Sequence, residues 1–108
     1  MSISEFEFSF VHKVPSNTIG VHSEFYYGAI DGVEVGKPCN TIAEAEANLA
    51  ALLTPSETHL EELLTESVEW LELAVNRVDG ERRASLNMQL AKEQHLLAKL
   101  IAFKRNSH

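Results

Sequence analysis

The stretch Glu24-Phe25-Tyr26-Tyr27-Gly28-Ala29-Ile30-Asp31-Gly32-Val33-Glu34-Val35 decides the fold. Asp31-Gly32 separates two apolar-rich runs, and a two-residue hairpin turn needs positive φ at both central positions, which Asp and Gly tolerate. The run before the turn, from about Val21 to Ile30, places Phe25 and Tyr27 on one face of a strand and Glu24 and Tyr26 on the other. Val33-Glu34-Val35 is the returning strand.

Working outward toward the N-terminus, Glu5-Phe6-Glu7-Phe8-Ser9-Phe10 alternates with period two. Phe6, Phe8 and Phe10 share one face, and Glu5, Glu7 and Ser9 share the other. Pro15-Ser16-Asn17-Thr18 interrupts the run as a loop. Residues 1–38 therefore predict a three-stranded antiparallel β-meander with an aromatic-rich face that needs a cover.

The cover begins with a helix over 40–53. Thr41-Ile42-Ala43-Glu44 has capping-box spacing, and Ile42, Ala45, Leu49, Leu52 and Leu53 fall on one side. Thr54-Pro55-Ser56-Glu57 repeats the signal and predicts the start of a helical hairpin over 55–104. Its first arm carries the stripe Leu60, Leu63, Leu64, Val68, Leu71, Val75 and Val78; its second carries Leu86, Leu90, Leu97, Leu100 and Ile101. Asp79-Gly80 is the turn between them. The whole chain, 1–108, reads as one α+β domain.

Four apolar residues fall off these stripes: Trp70 and Leu73 on the first arm, Leu96 and Phe103 on the second. Apolar surface on a second helical face points to self-association, so these four are the expected interface of a homodimer or larger homo-oligomer.

The 108 residues are 44% hydrophobic and 23% charged, which suits a folded domain. No apolar run is long enough to span a bilayer, and Met1-Ser2-Ile3-Ser4-Glu5-Phe6 lacks the marks of a signal peptide. With Cys39 as the single cysteine, a reducing, cytoplasmic setting is expected, without membrane contact. The net charge is −7, unevenly spread. Lys13 and Lys37 are the only basic residues before position 73, and Asp79, Glu81 and Glu93 the only acidic ones after it. A basic last helix beside an acidic one could neutralise it or serve a ligand.

Glu61, Glu62, Glu66, Glu69 and Glu72 crowd one helix, as half of a di-iron site would. Such a site also needs Glu-x-x-His, and no histidine here has glutamate three residues before it. The run reads as a solvated acidic face, with Glu62, Glu66 and Glu69 as candidate partner contacts. His12, His22, His59, His95 and His108 follow no zinc spacing. His12 and His22 face each other across two strands as a surface pair, and His95 reads as a half-buried core histidine. No phosphate-loop, nucleophile-elbow or metalloprotease motif is present. The expectation is a non-enzyme without cofactor, metal or catalytic residues.

Arg77 precedes the Asp79-Gly80 turn, and Arg82 and Arg83 follow it. Arginines beside a helix N-terminus suit a phosphate; alternatively they pair with Asp79 and Glu81. Duplex DNA is a poor match, because the basic residues form no long stripe.

The run Asp79-Gly80-Glu81-Arg82-Arg83-Ala84-Ser85-Leu86, continuing to Leu90 and Ile101-Ala102, resembles the helical hairpin of phage proteins that sequester immune signalling nucleotides, the anti-CBASS and anti-Thoeris sponges. It covers about the last fifty residues. Leu90-Ala91-Lys92-Glu93 stands where that family has Leu-Glu-Glu-Ala, and Trp70 lies in the other helix. The resemblance implies an oligomer that holds a cyclic nucleotide without cleaving it, with Arg82 and Arg83 as phosphate contacts. Two functions follow as expectations. The leading one is a phage or mobile-element accessory protein that binds and blocks a host protein or complex through its acidic surface. The alternative is the nucleotide sponge.

Overall fold

The computed structural model describes residues 5–14 and 24–106. Three strands, β1 (Phe8–Lys13), β2 (Phe25–Ile30) and β3 (Val33–Glu34), form an antiparallel sheet in the order β1-β2-β3. Helices α1 (Ile42–Leu52), α2 (His59–Val75) and α3 (Glu81–Arg105) follow, so the architecture is α+β. The Pro15–Thr18 loop, the start of the second strand at Val21 and the His12–His22 pair involve positions outside the described residues. The chain divides into two compact units at the Thr54–Pro55 junction.

In the first unit, Asp31 and Gly32 take φ of 51° and 80°, the positive values a tight hairpin demands, and Ile30 pairs with Val33 across them. Asp31 also fixes the other hairpin. Its backbone N–H donates to Glu7 O, and its carboxylate accepts from the Glu7 N–H, both at 2.8 Å. Phe8 then pairs with Ile30, and the register runs on to Lys13 opposite Phe25. Along β1 the alternation holds: Phe6 is buried, Phe8 and Phe10 half-buried, and Glu7 and Ser9 exposed.

The capping box at the start of α1 is formed. Thr41 Oγ1 accepts from Glu44 N–H at 3.1 Å, while Glu44 Oε2 accepts from Asn40 N–H at 3.1 Å. Helix α1 packs chiefly on β2, with Ala45, Leu49 and Leu53 buried and Leu52 half-buried. Ile42, expected on that side, is exposed. Gly28 makes the close approach possible: a Cβ there would lie 2.7 Å from Leu49 side-chain carbons.

The second unit corrects two expectations. Helix α2 starts at His59, not at Pro55. The expected box of Thr54 with Glu57 does not form; Glu57 instead accepts from His59 N–H at 3.0 Å. Thr54-Pro55-Ser56 forms a turn instead, and the helix begins after it. The C-terminal part of α3 runs back toward the start of α2: Gln94 donates to Glu72 at 3.3 Å, and Lys104 Nζ lies 3.7 Å from Glu61. The pair is therefore an antiparallel hairpin.

The other correction concerns the rotation of α3. Leu96, Leu100 and Phe103 are buried together with Glu93 and Lys104, whereas Leu97 is half-buried and Ile101 exposed. The leucine pairs at 96–97 and the Leu100-Ile101 pair let two adjacent stripes satisfy helical spacing, and the neighbouring one is turned inward. Leu96 and Phe103 thus belong to the interior, not to an exposed interface. On α2, Leu60, Leu64, Val68, Leu71 and Val75 are buried as expected, while Leu63 is exposed.

Gly28→Ala is expected to destabilise the protein by about 1–3 kcal/mol through overpacking against the fully buried Leu49. Urea unfolding checks this; an unchanged midpoint would show that Leu49 moves aside freely.

Candidate functional site

The burial of one stripe of α2 leaves the opposite side to water, and that side carries the site. Trp70 and Leu73 keep 64% and 59% of their surface exposed. With Ala74, Arg77 and Val78, and Leu86 from α3, they line an open groove of about 340 Å³. Arg77 follows the end of α2 in a tight turn, its N–H donating to Ala74 O at 3.0 Å. The Asn76 side chain meanwhile donates to Glu72 O at 3.0 Å.

The five carboxylates of α2 split into two sets. Glu61 and Glu72 are engaged with α3, through Lys104 and Gln94. Glu62, Glu66 and Glu69 are exposed, and among the described residues no cation pairs with them; Glu62 accepts only a long bond from Thr58 Oγ1, at 3.4 Å. With Glu61 and Thr65 they line a shallow depression. Of the two contacts with α3 only the Lys104–Glu61 pair brings a positive charge to this face.

At the hairpin tip, Gly80 caps α3 with φ 68° and no side-chain hydrogen bond to the first turn. Arg77, Arg82 and Arg83 are all exposed, and among the described residues none bonds to a side chain, Asp79 and Glu81 included. Arg82 lines a second, smaller groove with Val78, Ser85 and Leu86, so Arg77 and Arg82 border neighbouring grooves that share two residues.

Lys104 is the functional-looking group that the sequence reading passed over. It is buried, its Nζ donates to Glu57 O, and it pairs with Glu61. Its only signal in sequence was a lysine next to Phe103, with Glu57 and Glu61 an arm away. The groups on the sheet are used internally. His12 stacks on Tyr26 with centroids 4.8 Å apart and reaches Glu24 at 3.4 Å. Lys13 lies over Tyr27 and pairs with Glu34 at 3.0 Å. Cys39 is buried, its thiol donating to Lys37 O and its backbone bridging Tyr26. His95, expected to be half-buried, is exposed.

Among the described residues no group of three or more His, Cys, Asp or Glu side chains is placed to hold a metal ion, and no helix is long and apolar enough to cross a membrane. Comparison with protein-family models, curated proteins and solved structures found no match.

Lys104→Met keeps the aliphatic stem but leaves Glu57 O and Glu61 without their donor. A loss of roughly 1–3 kcal/mol is expected in urea unfolding, the usual worth of hydrogen bonds made by a charged group. An unchanged midpoint would mean that water replaces the ammonium.

Proposed function

We propose that this protein is a non-enzymatic binding protein whose acidic α2 face engages a basic surface on a host protein or complex and blocks it. The observation that carries this reading is the lack of compensation at Glu62, Glu66 and Glu69. Their neighbours Glu61 and Glu72 are tied to α3, while these three have no cation among the described residues. Uncompensated surface charge of one sign speeds encounter with an oppositely charged patch and sets its orientation. A surface that competes with nucleic acid for a basic partner is what a phage or mobile-element accessory inhibitor requires.

Reversing Glu62→Lys and Glu69→Lys together is expected to abolish capture of basic proteins from nuclease-treated host lysate at low salt. The circular dichroism spectrum should not change. The same proteins captured by the wild type and the variant would overturn the reading.

A second reading, the oligomeric nucleotide sponge, is favoured by one specific observation: Arg77, Arg82 and Arg83 stand exposed at the hairpin tip without a carboxylate partner among the described residues. Free guanidinium groups beside a helix N-terminus suit a phosphodiester. In calorimetry against a panel of cyclic dinucleotides, one ligand should bind the wild type and lose at least about tenfold in affinity with Arg82→Ala/Arg83→Ala. No heat with any ligand of the panel, or equal binding by the variant, would remove this reading.

A further inference from the structure

The exposed side of α2 has an order that the acidic-face reading does not use. Glu66, Trp70, Leu73 and Arg77 follow one another at intervals of four, three and four residues. That is the spacing of a coiled-coil seam, and it lies outside the stripe that α2 buries. The last three of these residues line a single groove, so the seam is continuous in space as well as in sequence.

The row is also symmetric. An acid stands four residues before Trp70, and a base stands four residues after Leu73. Two such rows laid antiparallel, with the two-fold axis between Leu71 and Glu72, bring Trp70 of each copy against Leu73 of the other. The same operation brings each Glu66 opposite the other copy's Arg77. Two-fold interfaces need this self-complementarity, since one patch must serve as both surfaces. A heterologous partner would place no such demand on the sequence.

We infer that α2 is the interface of an antiparallel homodimer, with Trp70 and Leu73 at its centre and reciprocal Glu66–Arg77 ion pairs at its ends. The indole of each copy enters the groove formed by Leu73, Ala74, Arg77 and Val78 of the other. The exposed apolar surface of Trp70 and Leu73 is withdrawn from water, and the two charge pairs fix the antiparallel register. The parallel arrangement sets Glu66 against Glu66 and Arg77 against Arg77, and like-charge contacts exclude it. The interface takes up Glu66 and Arg77, which the readings above also use. The variants at Glu62 and Glu69 that test the acidic-face reading alter neither charge pair, so either conclusion can fail alone.

The test is sedimentation equilibrium of the full chain at low salt. The wild type is expected to sediment as a dimer. Glu66→Arg alone and Arg77→Glu alone each set like charges together and should weaken self-association by about tenfold or more. The double exchange Glu66→Arg/Arg77→Glu restores opposite charges and should return the dimer. Trp70→Ala should be monomeric with an unchanged circular dichroism spectrum. A monomeric wild type, single variants that dimerise like the wild type, or a double exchange as weak as the singles would each overturn the inference.

Discussion

The surface of this protein is set by the stripe Leu60–Leu64–Val68–Leu71–Val75 that α2 buries. A single helix has one circumference to divide, so committing these five positions inward determines what every other position can do. The carboxylates at 62, 66 and 69, the indole at 70 and the leucine at 73 are outside because these five are inside. At the flanks Glu61 meets Lys104 and Glu72 meets Gln94 of the second arm. The same division separates the carboxylates engaged with α3 from those that are not.

Much of the fold was legible because short signals with a strict stereochemical basis decide it. Asp31-Gly32 admits the positive φ of a tight hairpin, and the strand pairing follows from it. Thr41 and Glu44 satisfy the first turn of α1 by spacing alone. The same spacing misled at Thr54, where the chain makes a turn and α2 starts at His59.

The rotation of α3 was not legible, for a geometric reason. Leu96-Leu97 and Leu100-Ile101 offer two inward faces one residue, about 100°, apart, and spacing ranks them equally. The winning face carries Phe103 and draws Lys104 in toward Glu61 and Glu57, contacts between residues more than forty positions apart that no local pattern encodes. The candidate site was legible where it sits on α2: most of the expected stripe is buried, Leu63 excepted and Val78 half-buried, and Trp70 and Leu73 are exposed. Leu96 and Phe103 depended on the ambiguous stripe of α3 and are buried. At the tip, composition could name Arg77, Arg82 and Arg83 but not say whether Asp79 and Glu81 would quench them.

The small size of β3 has a consequence of its own. A sheet ends where unpaired backbone donors and acceptors face outward, and a long bare edge invites a strand from another molecule. Here the last strand is two residues long, and a few residues on the chain reaches Pro38, which has no N–H to offer. A foreign strand finds almost nothing to zip onto along that side. The β3 edge of the meander is thereby guarded against strand addition by brevity and by one proline.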